Sequence, residues 1–200
     1  MNVRTLFYRA PATAAITALC VLVFAVTAAQ SRSLNDLVWG SSLGVRMVLY
    51  GPFVTEEPLG WLRLITAGFL HLDATHLFVN MLMLVLIGGE VERFVGTPRF
   101  VAAWLIGSAA SSGAVLAMNF DIATAGASGA LFTLLVVLVA IAYRRSADLR
   151  APVFLLVLNV AYTFVVPGVS VWGHLGGLAA GVVLAWPLTC APVIPRRRPR

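Results

Sequence analysis

Four polar side chains in an otherwise apolar chain carry the types needed for acyl chemistry: His76, Asn80, Ser128 and His174. A serine hydroxyl within hydrogen-bond reach of an imidazole is an activated nucleophile. The ring takes the hydroxyl proton as the oxygen attacks, then returns it to the leaving group. Attack on an amide also builds negative charge on the carbonyl oxygen, which needs donors aimed at it. The Ser128 backbone N–H, the Asn80 side-chain amide and the His76 ring N–H are candidate donors. Ser128 stands in "TAGASGALF" (124–132), flanked by Gly126 and Gly129. His174 stands in "GHLGGLAAG" (173–181), where Gly173, Gly177 and Gly181 recur every fourth residue. Small residues at that spacing let two helix backbones approach closely, and a close approach is what would bring the imidazole to the hydroxyl.

No carboxylate completes a triad. Glu92 follows His76 by sixteen residues, roughly 24 Å along a helix at ~1.5 Å per residue. Asp73 and Asp121 lie in loops, and nothing ties either to His174. The expectation is a two-residue Ser–His site. It should be slow, because loss of the acid costs up to about 10⁴ in a soluble triad.

The elements that must position these residues are membrane helices. The 200 residues are 60% hydrophobic and 11% charged, too little charge for a soluble domain of this length. Six apolar runs approach the ~20 residues that a helix needs to cross a bilayer: 12–29, 74–90, 100–118, 127–143, 152–166 and 171–188. The expected fold is an all-α, six-span helical membrane bundle with a long first external loop. The expected division is a cytoplasmic N-terminus at 1–11, the membrane domain at 12–190 and a basic cytoplasmic tail at 191–200. Arg4, Arg9 and "VTA" (26–28) also suit a secretory signal, but the first run is long for one. Cys20 and Cys190 imply no disulfide framework or metal cluster.

All fourteen basic residues are arginine, and the net charge is +6. They form no stripe with interleaved aromatics, so no nucleic-acid partner is expected. Their positions instead set orientation. Arg4, Arg9, Arg93, Arg99, Arg144, Arg145, Arg150 and the terminal "RRRPR" all fall on one side if both termini are cytoplasmic. Arg32, Arg46 and Arg63 remain outside, among Asp36, Glu56, Glu57, Asp73 and Asp121. The positive-inside rule therefore places both ends in the cytoplasm of a multi-pass cell-membrane protein. Spans two, four and six then run inward, with His76, Asn80, Ser128 and His174 near their outer ends. The four share one depth, and reversing the topology would move them together. Three helix N-termini also turn unpaired N–H groups toward that depth.

Residues 31–73 form the first loop. Its "WLRLITAGFLHL" (61–72) is amphipathic and aromatic and suits the bilayer interface. His71 and Arg63 read as structural residues of this loop, Arg63 ordering it. Glu92 reads as a cap or ion-pair partner at the cytoplasmic end, Asn159 as an interhelical hydrogen bond, and the terminal arginines as an anchor.

The chain resembles the rhomboid family of intramembrane serine proteases over roughly residues 61–185. The resemblance rests on four motifs in order: "WLRLITAGFLHLDATHLFVNM" with Arg63, Thr66, His71 and His76-x-x-x-Asn80; Gly88-x-x-x-Glu92-x-x-x-Gly96; "GASG"; and "GHLGGLAAG". It implies Ser128 as nucleophile, His174 as base, and His76, Asn80 and the Ser128 N–H as oxyanion donors. It implies that Gly126, Phe132 and Gly177 shape the site. Phe132 takes the place of an aromatic, often tyrosine, that packs on the imidazole. Leu62 departs from the family in not being aromatic before Arg63. The resemblance points to the minimal six-span bacterial form, without a seventh span or a soluble domain.

The implied activity is hydrolysis of peptide bonds in or near transmembrane segments of client proteins, with no metal or organic cofactor. The partners are those substrates and the lipid bilayer. Entry beside the short fifth span is expected, with Pro167 and Gly168 of "VPGVSV" (166–171) as its flexible connection. A rhomboid-like pseudoprotease, binding membrane proteins without cutting them, is the rival reading, and the presence of both Ser128 and His174 opposes it. The metalloprotease signature H-E-x-x-H and paired membrane aspartates are absent, and no repeat of the kind seen in transporters is evident.

Overall fold

The apolar runs become six helices in the computed structural model, which describes residues 7–190. They are α1 (Pro11–Ser31), α2 (Ala74–Val95), α3 (Thr97–Met118), α4 (Ser128–Arg144), α5 (Arg150–Val165) and α6 (Val171–Cys190). Four of them, α1, α2, α3 and α6, are long and apolar enough to cross a membrane. The other two, α4 and α5, are shorter apolar helices of 17 and 16 residues. Among the described residues no strand forms, and one isolated bridge joins Leu49 to Thr124. The expected basic tail at 191–200 lies outside the described residues, as do residues 1–6 of the expected N-terminal segment.

The bundle is apolar on both sides of its helices. Trp104, Phe100, Leu84 and Leu134 fill the centre, while Leu22, Phe78, Phe154 and Trp186 are exposed at its surface. An outer surface of this kind suits lipid, which is as apolar as the core. The tightest packing is between α4 and α6, where glycines remove side chains from the crossing. A Cβ at Gly177 would lie 2.8 Å from the carbonyl carbon of Gly129 and 3.0 Å from its Cα. Thr133 Oγ1 donates to the Gly177 carbonyl across the same crossing, at 2.7 Å.

The second apolar run ends later than its hydropathy suggests. It continues through Glu90, Glu92 and Arg93 to Val95, with a π-helical stretch at Leu84–Gly88. Charge does not stop it because each charged group has a partner. Arg93 donates to Glu90 at 2.7 Å. Glu92 is buried and caps the start of α1: it accepts from Ala12 N at 3.0 Å, Thr13 N and Thr13 Oγ1 at 2.8 Å, and Thr97 Oγ1 at 2.7 Å. Two backbone donors that a helix start leaves unpaired are thus satisfied by a carboxylate 80 residues away. Gly88 makes room, since a Cβ there would meet Leu84 and Thr13.

Residues 32–73 fold as a succession of short helical turns: Ser42–Met47, Gly51–Glu56, Gly60–Leu62, Arg63–Thr66 and Ala67–Phe69. Arg63 is buried at their centre. Its guanidinium donates to the carbonyls of Val45 and Val48, at 2.6 and 2.9 Å, and to Glu57, and it lies over the Phe53 ring. Asn159, read from sequence as an interhelical bond, instead donates to the Leu155 carbonyl within α5 at 2.8 Å. The short amide reaches back one turn along its own helix, where an acceptor is already in place.

Candidate active site

Ser128 is the first residue of α4, so its backbone N–H has no intrahelical acceptor. The loop before it needs Gly126, whose φ of +132° is open to glycine and strained for other residues. A Cβ there would also strike the His76 ring, 2.7 Å from Cε1 and 2.8 Å from Nε2. Residues 32–73 brace this loop from behind. Leu49 and Thr124 exchange two backbone hydrogen bonds, at 3.0 and 2.8 Å, and Gly126 N donates to the Ala67 carbonyl at 2.9 Å.

The glycine crossing sets the other half of the site. One turn before Gly177 on α6, His174 Nε2 lies 2.8 Å from Ser128 Oγ. Phe132, one turn after Ser128, packs on the imidazole with centroids 4.5 Å apart and planes at 33°. His174 and Phe132 are buried, while Ser128 is partly exposed. The contact between hydroxyl and imidazole is therefore walled on one side and open on another.

His76 and Asn80 stand one turn apart on α2. Asp73 caps that helix by accepting from His76 N at 2.8 Å. The Leu72 N–H donates to His76 Nδ1 at 3.4 Å, which leaves the ring proton on Nε2, the nitrogen nearest Gly126. Asn80 is buried, and its Nδ2 donates to the His76 carbonyl at 2.8 Å; its second N–H is not used in that bond. His76 thus faces the loop that carries Ser128, and Asn80 lies one turn deeper on the same helix.

His71 is fully buried, with its ring centroid 5.2 Å from that of His76, edge-on. Neither of its ring nitrogens has a hydrogen-bond partner. Burial, and next the neighbouring imidazole, push its pKa down to about 3, so it is a neutral wall behind His76 at neutral pH. Glu92 and Arg63 lie apart from the hydroxyl–imidazole pair, in the contacts given above. Among the described residues no three His, Cys, Asp or Glu side chains gather where a metal ion could be held.

One partner of His174 was not singled out from the sequence. Thr163 Oγ1, on α5, lies 2.7 Å from His174 Nδ1. Its sequence signal is weak: one hydroxyl in "NVAYTFVVPG" (159–168), where a threonine ordinarily bonds back to its own helix.

Fold and site together define an all-helical, multi-pass membrane protein with a serine and a histidine in contact on neighbouring helices. A family profile described as the Rhomboid domain matches residues 58–190, and the chain belongs to the rhomboid family. It is 34% identical over 131 residues to Rhomboid protease GluP of Bacillus subtilis, covering 62% of this chain and 25% of that protein. It is 35% identical over 174 residues to RHOMBOID-like protein 4 of Arabidopsis thaliana, covering 82% and 43%. It is 32% identical over 150 residues to Rhomboid-type serine protease 2 of Emericella nidulans, covering 70% and 29%. The aligned part is thus under half the length of each of these relatives.

Proposed function

We propose that this protein is an intramembrane serine protease that cleaves peptide bonds in or near transmembrane segments by a Ser128–His174 dyad. The 2.8 Å contact between Ser128 Oγ and His174 Nε2 carries the reading, and two of the similar proteins are named as rhomboid or rhomboid-type proteases.

The geometry supports a complete reaction. Ser128 Oγ attacks the scissile carbonyl carbon as its proton passes to Nε2. The oxyanion is met by the Ser128 backbone N–H, the His76 Nε2–H and the free Asn80 amide N–H, each such donor worth ~10²–10³ in rate. Collapse expels the amine, which takes the proton back from Nε2 and leaves an acyl-serine. Water gives its proton to Nε2, attacks the ester and releases the acid, and Ser128 recovers its proton. Gly126, Gly177 and Phe132 shape the pocket for these steps. With no carboxylate on the imidazole, turnover is slow.

All six helices span the membrane in this reading. At ~1.5 Å per residue α4 and α5 are roughly 24–26 Å long, below the ~30 Å hydrocarbon thickness, and local thinning accommodates them. The arginine distribution favours both termini in the cytoplasm and the site near the outer face of a cell membrane, a bacterial inner membrane in this reading. A helical substrate hides its carbonyl in intrahelical bonds, so it must unwind before attack. Small or helix-breaking residues near the cut are expected for that reason, with entry beside α5.

The test is purified protein in detergent or liposomes with a model transmembrane substrate and a fluorophosphonate probe. Wild type should cleave the substrate and label. Ser128→Ala and His174→Ala should each lose cleavage, and Ser128→Ala should lose labelling. Cleavage retained by either variant removes the dyad. A wild type that folds, binds the substrate and neither labels nor cuts is the pseudoprotease.

A further inference from the structure

We propose that Thr163 is a positioning residue for the base: its hydroxyl oxygen accepts the His174 Nδ1–H and holds the imidazole in the tautomer whose Nε2 can take the Ser128 proton. The inference deepens the serine-protease reading and rests on it.

The argument is an inventory of protons. A threonine hydroxyl has one proton and two lone pairs. Thr163 Oγ1 donates that proton to the Asn159 carbonyl at 2.8 Å. It therefore meets His174 Nδ1, 2.7 Å away, only as an acceptor. Nδ1 must carry the ring proton, which leaves Nε2 bare toward Ser128 Oγ at 2.8 Å. The bonds then run one way: Ser128 hydroxyl to Nε2, Nδ1 to Thr163, Thr163 to the Asn159 carbonyl. Bonds arranged head to tail in a low-dielectric interior reinforce one another. When Nε2 gains the serine proton, the Nδ1–H bond is already in place, so no partner has to rearrange.

Burial separates this role from ordinary threonine back-bonding. Thr163 is the buried residue of α5, while Phe154, Val157, Phe164 and Val165 of the same helix are exposed. A back-bonded threonine needs no second partner and no inward position, and this one has both. A neutral hydroxyl fixes the ring without the charge that a carboxylate would supply. The base is thus oriented but not strengthened, in keeping with a slow dyad. Because α5 reaches inward through this residue, a displacement of α5 breaks the same bond.

The test compares wild type, Thr163→Val and Thr163→Ser in the full chain in detergent. Thr163→Val keeps the shape and removes the acceptor; Thr163→Ser keeps the hydroxyl. The expected result is kcat about three- to tenfold lower in Thr163→Val, as for loss of one neutral hydrogen bond. KM should be unchanged, and Thr163→Ser should recover most of the loss. The second readout is ¹⁵N NMR of histidine-labelled protein, with His174 assigned by His174→Ala. Wild type should show a protonated Nδ1 and a bare Nε2, and Thr163→Val a mixture of tautomers. Wild-type kcat in Thr163→Val overturns the proposal. So does a loss of kcat with the Nδ1–H signature unchanged, or a wild type whose proton sits on Nε2. The NMR arm needs no turnover: if wild type fails to cleave, the protease reading fails by itself and the tautomer still decides this proposal.

Discussion

Replacing Gly177 by alanine tests whether the backbone crossing, and not the dyad residues alone, sets the site. The new Cβ would lie 2.8 Å from the Gly129 carbonyl carbon and 3.0 Å from its Cα. Favourable carbon contacts begin near ~3.5 Å, and the Gly129 carbonyl oxygen is closer to the new Cβ than either carbon, so α6 must withdraw from α4 by more than about 0.7 Å. These are backbone atoms of a helix and cannot swing aside as a long side chain could. The retreat moves His174, one turn away, and stretches its 2.8 Å bond to Ser128 to or past the ~3.5 Å limit of a hydrogen bond. A misplacement of ~1 Å costs on the order of 10²-fold in rate, and the overpacking itself costs about 1–3 kcal/mol. Gly113→Ala is the control, because a Cβ there meets nothing within 4 Å. The assay is kcat on a transmembrane substrate, together with thermal melting in the same detergent. Gly177→Ala should lose kcat ~10- to 100-fold and melt lower, while Gly113→Ala should keep both. Gly177→Ala with wild-type kcat would refute the reasoning, since it would show that the helices separate without disturbing the dyad.

Two further outcomes concern stability. Glu92→Ala strips the partner from two backbone N–H groups and two hydroxyls at the start of α1 and α3. It should cost about 3 kcal/mol or more in detergent melts, and Glu92→Gln should recover only part, because an amide turns two donors of its own toward those groups. His71 gives a pH dependence. Its folded pKa of about 3 lies below the ordinary histidine value of 6.5, so between those values the unfolded chain binds the proton and the folded chain does not. Its contribution is fully present above pH ~6.5 and is lost as pH falls toward 3, by at most ~1.4 kcal/mol per pH unit. Melting of wild type and His71→Gln from pH 7 to 4 should show the wild type falling more steeply; parallel curves would remove the assignment.

What the sequence determined by itself was the set of elements and the depth at which chemistry could gather. Six apolar runs, bounded by arginines and loops, gave six helices because a long apolar segment can hide its backbone polar groups only in helical bonds. "GASG" and the glycine spacing around His174 pointed to a close crossing because glycine is costly inside a helix unless backbones must touch. What only the tertiary structure decided was who faces whom. A chain surrounded by lipid is apolar inside and out, so periodicity does not separate an inward face from an outward one. Thr163 therefore read like any span hydroxyl until α5 was packed beside α6. Glu92 reads in sequence as a cap or ion-pair partner, but only the fold shows that the helix it caps is α1, 80 residues earlier. The bonds from Leu49 and Ala67 that brace the serine loop are backbone bonds, and every non-proline residue carries the same backbone donor and acceptor. Such contacts leave no mark in residue type, and only the folded path of the chain brings them about.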